Sequence, residues 1–153
     1  MSYGNKRLRI KGRATTGRFV KLPHAVLKDP AYIGLRPAAR SLLVDIAMQY
    51  NGQNNGALGA CWEFLRYRGW RSKDTLHRAL KELLASGLIA RTRQGGLRPL
   101  RHSTYALAWL DLDPVDELEP PWSGMVGRRP GTWHRKNNGT EKDFQRYENR
   151  TIK

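Results

Sequence analysis

Six hydrogen-bonding side chains are spaced to share the outer face of a helix that the sequence predicts after Ser72. They are Ser72, Lys73, Thr75, His77, Arg78 and Lys81. Such groups can donate hydrogen bonds to phosphate oxygens and to base edges. Arg78 is the first candidate for a base contact, because its guanidinium can bridge O6 and N7 of guanine, which discriminates by about 1–3 kcal/mol. His77 can equally be an ordinary surface residue, since a lone histidine signals little without a partner.

The opposite face of the same predicted helix is apolar. Its members recur at helical spacing and are Leu76, Ala79, Leu80, Leu83 and Leu84. Any amphipathic helix that packs on a core has such a stripe, so the stripe does not separate a DNA-reading helix from a structural one. The outer face is more informative, because Asp74 and Glu82 are its only acids and a solvated helix mixes both charges more evenly.

Four arginines flank or occupy the loop QGGLRPLRH between two predicted strands. They are Arg91, Arg93, Arg98 and Arg101. An arginine-bearing hairpin tip can lie along phosphates or enter a narrow minor groove. A solvated hairpin is the alternative, although such hairpins usually carry both signs of charge. We therefore expect these arginines to contact phosphate.

The overall charge points to a polyanionic partner. The chain has 28 basic and 13 acidic residues, a net charge of +15 and a pI near 10.6, and cations paired with phosphates release condensed counterions. The segment 111–119, DLDPVDELE, opposes this trend with five acids and no base. Further cations that could extend the footprint lie in the N-terminal arm and in the turn before the helix: Lys6, Arg7, Arg9, Lys11, Arg13, Arg68 and Arg71.

Hydrophobic periodicity predicts one folded unit, at residues 19–110, to position these side chains. In order, it predicts a helical turn at 23–28, a loop DPAYIGL, a helix from Pro37, a short strand at 56–60, a short helix at 62–67, a helix from Ser72 to Ser86, and strands at 88–93 and 103–109. The predicted fold class is mainly α with a small β-sheet, an α+β arrangement. Residues 1–18 are predicted to be a flexible basic arm, and residues 111–153 an acidic linker and a basic, largely disordered tail.

The segment SKDTLHRALKELLASGLIARTR resembles the recognition helix and wing strand of winged helix-turn-helix DNA-binding domains. The upstream GLRPAARSLLVDIAMQYNGQNNG is similar to the first helix and polar loop of phage- and plasmid-encoded members, which include the N-terminal domains of replication initiators and small regulators. The resemblance covers residues 19–109. It implies groove-facing roles for four residues and core roles for three. These are Ser72, Lys73, Thr75 and Arg78 in the groove, and Leu76, Leu80 and Leu83 in the core. The preceding FLRYRGWRS departs from the pattern, because it is more basic and aromatic than the usual alanine-rich helix.

Several functional classes are not expected. The four histidines are scattered and Cys61 stands alone, so no catalytic group, metal site or cofactor is predicted. No apolar run is long enough for a membrane span, and the charged N-terminus lacks the apolar region of a secretory signal. A single cysteine without an export signal predicts a reducing cytoplasm.

Together these features predict a non-enzymatic protein that binds double-stranded DNA, acting as a phage or mobile-element transcriptional regulator or replication-initiation factor. The 72–86 helix would read the major groove, and the 94–102 wing would contact phosphates or the minor groove. Two alternatives stay open at this point: a protein–protein adaptor recruited to a replication or transcription complex, and an RNA-binding protein. A homodimer also stays open.

Overall fold

The computed structural model describes residues 17–116 and 118–130, and this part of the chain has a mixed α+β fold. Its helices are α1 (His24–Leu27), α2 (Pro30–Ile33), α3 (Pro37–Ala47), α4 (Trp62–Leu65) and α5 (Lys73–Ser86). Its strands are β1 (Leu58–Gly59), β2 (Ile89–Arg93), β3 (Gly96–Leu97), β4 (Leu100–Arg101) and β5 (Thr104–Leu107). Short 3-10 turns cover Arg66–Arg68 and Trp122–Gly124. The α+β class predicted from the sequence is confirmed.

Helices α3 and α5 pack against each other at the centre of the core. Pro37 starts α3 at a position where its missing N–H costs no helical hydrogen bond. The buried side chains of the two helices are Ala39, Leu42, Leu43, Ile46, Ala47, Leu76, Ala79 and Leu83. Each fully buried leucine stabilises the fold by about 1.5–3 kcal/mol, so this contact fixes how α5 sits on the domain.

Helix α5 begins and ends at the predicted residues, because both caps form. The Ser72 hydroxyl oxygen accepts a hydrogen bond from the Thr75 backbone N–H at 3.2 Å. Gly87 ends the helix in the left-handed region, with φ of 75°, where a residue with a side chain would be strained. The chain then passes directly into β2.

A three-stranded antiparallel sheet, in the order β1-β5-β2, lies beside the helices. Strand β5 pairs with β2 from Ile89 opposite Leu107, and the register shifts between Arg91 and Arg93. Beyond this bulge, β3 and β4 form a second small ladder within the loop predicted at 94–102. The predicted 103–109 strand is therefore shorter than expected, and the hairpin above it is longer.

The segment DPAYIGL is a helix in part, not the predicted loop. Asp29 caps α2 by accepting a hydrogen bond from the Ala31 backbone N–H at 2.7 Å, and Pro30 occupies the first turn. An aspartate followed by proline is a favourable helix start. Only four residues follow before Gly34, so the helix has no periodic apolar stripe that a sequence pattern could reveal.

Parts of residues 111–116 and 118–130 bond to the domain, which differs from the solvated linker expected from their composition, while residues 131–153 of the predicted tail lie outside the described residues. Leu112 is buried, its N–H donates to the Arg128 carbonyl at 2.8 Å, and its own carbonyl accepts from Gly127. Glu119 donates its backbone N–H to the Thr92 carbonyl of β2 at 3.0 Å. A buried leucine and backbone pairing hold this acidic segment in place despite its polar sequence.

Asn55 connects three parts of the fold and is fully buried. Its side-chain N–H groups donate to the carbonyls of Leu107, Leu110 and Asp111 at 3.0–3.2 Å, and its side-chain oxygen accepts from the Leu107 N–H at 2.7 Å. Its backbone N–H donates to the Asp113 carboxylate at 2.8 Å. The loop after α3 is thereby joined to the end of β5 and to the acidic segment.

Within the described residues, the structure contains no helix of the length and apolarity needed to cross a membrane.

Candidate nucleic-acid interface

The outer face of α5 is open to solvent. All six side chains proposed for this face from the sequence are exposed: Ser72, Lys73, Thr75, His77, Arg78 and Lys81. The leucine stripe on the other side is held in the core, so the helix cannot rotate to bury them. The face therefore presents hydroxyl, imidazole and cationic groups together at the first two and a half turns of the helix.

Two of these cations have neighbours within the protein. The Arg78 guanidinium forms an ion pair with Asp74, one turn earlier on the same face, and both side chains are mostly exposed. The Lys73 ammonium lies 5.8 Å from the centre of the Trp62 ring. An exposed pair at this spacing contributes only about 0.3–0.5 kcal/mol, so Arg78 can leave Asp74 at little cost.

The second acid of this helix, Glu82, is paired with the start of α3. Its carboxylate accepts hydrogen bonds from the Arg36 backbone N–H at 2.7 Å and from the Arg36 Nε at 2.9 Å. The backbone hydrogen bond, together with the guanidinium, holds the pKa of Glu82 below its ordinary range, although partial burial opposes this. Glu82 is thus an anchor between α5 and α3, and its charge is compensated by Arg36.

The turn before α5 is held on α3 by Asp45, which is 8% exposed. One carboxylate oxygen accepts a hydrogen bond from the Trp70 indole N–H at 2.8 Å, and the other pairs with the Arg68 guanidinium at 3.2 Å. Gly69 permits the turn with φ of 94°. Arg68 and Arg71, both predicted as DNA contacts, are exposed, and Arg68 in addition helps to hold the turn through its ion pair with Asp45.

Sequence reasoning missed Asp45, although a signal for it is present. Asp45 lies within the apolar stripe of α3, next to Ile46, where a buried charge needs a partner. The basic and aromatic turn FLRYRGWRS supplies that partner. The unusual composition of this turn thus has a structural reason.

A cleft of about 420 Å³ lies beside the N-terminus of α5, where α3 and the turn meet. Its lining includes Ser41, Asp45, Arg68, Arg71, Ser72 and Thr75. Unpaired N–H groups and the helix dipole make a helix N-terminus attractive to anions. Arg71 adds a positive charge to the lining of this cleft, so a phosphate group suits this position. The negative charge of Asp45 opposes an anion little, because Asp45 is paired with Arg68.

The four hairpin arginines divide into two pairs. Arg91 donates a hydrogen bond to the Gln94 side chain at 2.7 Å, and Arg93 donates to the His102 carbonyl at 3.1 Å. Both are partly buried and brace the base of the hairpin. Arg98, in the turn between β3 and β4, and Arg101, in β4, are exposed, which is the placement expected for phosphate contact.

Two large apolar residues accompany the exposed arginines at the hairpin tip. Leu97 and Leu100 pair across the ladder and are 85% and 73% exposed. The sequence pattern does not indicate either residue as part of a site. The residues Arg98 and Pro99 between them indicate only a turn, because the loop is too short to show a repeating pattern of apolar residues.

The acidic segment reaches the base of the hairpin. The Glu119 carboxylate accepts a hydrogen bond from the Gln94 backbone N–H at 3.0 Å. Glu119 is exposed there. Negative charge is thus placed near the hairpin arginines, where it lowers the local positive potential.

The predicted arm residues, Lys6, Arg7, Arg9, Lys11 and Arg13, lie outside the described residues. Comparisons of the chain with protein-family models, with curated proteins and with solved structures found no match. What the chain binds is therefore inferred from the side chains of α5, the turn and the hairpin.

Proposed function

We propose that this protein binds double-stranded DNA as a winged helix, with α5 in the major groove and the 94–102 hairpin as its wing. The observation that carries the proposal is the outer face of α5, which is exposed, cationic and fixed to the core by its leucine stripe. A helix of this diameter fits the major groove, where each base pair presents a distinct pattern of donors and acceptors.

Base reading in this proposal comes mainly from Arg78. Leaving Asp74 costs about 0.3–0.5 kcal/mol, whereas a bidentate contact with guanine is worth about 1–3 kcal/mol. The balance favours the exchange. Asp74 also holds the guanidinium in an ion pair before DNA binds.

Phosphate contacts in this proposal come from two places. Arg71 and the N-terminus of α5 hold one phosphate at the cleft beside Ser72. Arg98 in the hairpin turn and Arg101 in β4 lie along the DNA backbone or enter the minor groove. These contacts set affinity and register, and the α5 face sets selectivity.

The biological role we propose follows the winged-helix resemblance: a regulator or replication-initiation factor of a phage or mobile element, acting in the cytoplasm. No catalytic step and no cofactor form part of this role. A homodimer would require an operator with two half-sites about one helical turn apart.

A second candidate function is a protein–protein adaptor in a replication or transcription complex. The exposed Leu97 and Leu100 favour it, since apolar side chains at an exposed tip are typical of surfaces that bind other proteins. The DNA proposal has the wider support, because it also uses the cationic face of α5.

The test is titration of duplex DNA, single-stranded DNA and RNA of one sequence at two or more salt concentrations. The proposal expects preference for the duplex and a linear fall of log K with log salt; six phosphate contacts would give a slope of about −5. A flat salt response contradicts the electrostatic part. Equal or tighter binding to RNA or single strands contradicts groove reading by α5.

A further inference from the structure

Three metal-ligating side chains meet beside the base of the hairpin. The ligand atoms of Cys61, Glu63 and His102 all lie within 4.8 Å of one another. Cys61 is the cap residue before α4, and Glu63 is in the first turn of that helix. His102 follows β4, far away in the sequence, so no sequence spacing could reveal the cluster.

We propose that this cluster is a binding site for a divalent transition metal, with Zn²⁺ as its natural ion. Thiolate, imidazole and carboxylate are the three ligand types that Zn²⁺ takes in proteins. Mg²⁺ and Ca²⁺ are poor candidates, since they prefer sets made only of oxygen ligands. Three protein ligands leave a fourth tetrahedral position for water or another small ligand.

The distances between the three ligand atoms suit a bound metal if the side chains move slightly closer together. Zinc bonds of about 2.3 Å to sulfur and about 2.0–2.1 Å to nitrogen or oxygen place tetrahedral ligand atoms roughly 3.5 Å apart. Cys61 is partly exposed, and Glu63 and His102 are exposed, so side-chain rotation can close the remaining gap. Across residues 17–116 and 118–130, no hydrogen bond or ion pair engages these three side chains.

A bound ion would join the hairpin to α4. The backbone at His102 is already held by Arg93, whose guanidinium donates to the His102 carbonyl at 3.1 Å. Binding requires a deprotonated thiol and a neutral imidazole, so metal affinity falls as the pH falls. The site does not depend on the DNA-binding proposal, because no residue of the α5 face takes part in it.

The experiment titrates the full-length, metal-free, reduced protein with Co²⁺, followed by optical absorption, and then displaces Co²⁺ with Zn²⁺. We expect one equivalent of Co²⁺ to produce a thiolate-to-cobalt charge-transfer band together with visible bands of tetrahedral cobalt. Cys61→Ser should abolish the charge-transfer band. Serine is a good helix cap, so this variant should keep the fold, which circular dichroism checks.

His102→Ala and Glu63→Gln change exposed residues and test the other two ligands. Each should weaken Co²⁺ binding by at least tenfold, since even the loss of a group that only orients a ligand typically costs about 10–100-fold. His24→Ala is the matched control: His24 is exposed on α1, outside the cluster, and its loss should leave binding unchanged. Absence of a thiolate band in the unmodified chain, or equal affinity of His102→Ala and His24→Ala, overturns the proposal.

Discussion

Replacing Asp45 by asparagine should loosen the turn that leads into α5. The Asp45 side chain is 12% exposed, and its carboxylate accepts from two donors, the Trp70 indole N–H and the Arg68 guanidinium. Asparagine has one acceptor oxygen, and its amide N–H₂ must face the other donor. Whichever way the amide turns, one donor loses its partner and the charge that attracted Arg68 is gone.

The expected cost follows from the two contacts. A hydrogen bond to a charged group is worth about 1.5–3 kcal/mol. The Arg68 side chain is 41% exposed. Solvent therefore limits the stabilisation from its ion pair with Asp45 to at most about 1 kcal/mol. Asp45→Asn should therefore destabilise the domain by about 1–3 kcal/mol. At about 4 °C per kcal/mol, that lowers Tm by about 4–12 °C.

Urea unfolding followed by far-ultraviolet circular dichroism measures this loss, with Asp111→Asn as the matched control. Asp111 forms an ion pair with Arg129 at 3.5 Å, but its side chain is 66% exposed. Removing that charge should cost about 0–1 kcal/mol. An equal loss of stability in the two variants would refute the claim that Asp45 anchors the turn.

Three further predictions concern the interface and its support. Arg78→Ala should relax the preference at one base pair by about 1–3 kcal/mol, whereas Arg98→Ala should weaken binding to all sequences alike and reduce the slope of log K against log salt by about 1. Selection of bound sequences from random duplexes measures the first effect, and salt titrations measure the second. Identical behaviour of the two variants contradicts this division of roles. Glu82→Gln should cost about 1 kcal/mol at neutral pH. Because the pKa of Glu82 is lowered in the fold, its contribution to stability is present above the ordinary glutamate pKa and is lost as the pH falls through the lowered value. The urea midpoints of the wild type and of Glu82→Gln should therefore converge in acid. A difference between the midpoints that does not change with pH contradicts this expectation. Asn55→Ala should cost at least about 3 kcal/mol in urea unfolding, since several buried groups lose partners at about 1–3 kcal/mol each; a loss below about 1 kcal/mol would show that water replaces the amide.

The elements that carry their own local signals were predictable from the sequence. Helix α5 has an apolar stripe, a serine cap and a terminal glycine, and its bounds agree with the prediction within a residue. Helix α3 likewise follows its stripe from Pro37. These signals are local because a helix hydrogen-bonds within itself.

Other features depend on contacts between distant residues, which a local pattern does not contain. Asn55 reads as part of a polar loop, yet its amide is buried against the carbonyl of Leu107. Cys61 and His102 read as isolated until the hairpin brings them together. The acidic segment reads as solvated, because one buried leucine, Leu112, is too weak a signal within five acids.

Within the candidate site, some features were predictable and others were not. Exposure of the α5 face could be predicted, because it lies opposite a helical apolar stripe. The contacts of Arg91 and Arg93 could not be predicted, because they are made with Gln94 and with the carbonyl of His102. A charge pattern alone does not tell which cations already have neighbours.

The amide of Asn55 has a consequence for how the protein opens. Asn55 belongs to the loop after α3, and its amide bonds both to Leu107 of β5 and to Asp111 of the segment that follows, so this loop cannot detach without breaking its hydrogen bonds to both. The smallest cooperative unit therefore extends past residue 110 into the acidic segment. The Leu107 amide proton should exchange with solvent only through global unfolding, at a rate set by the stability of the whole domain.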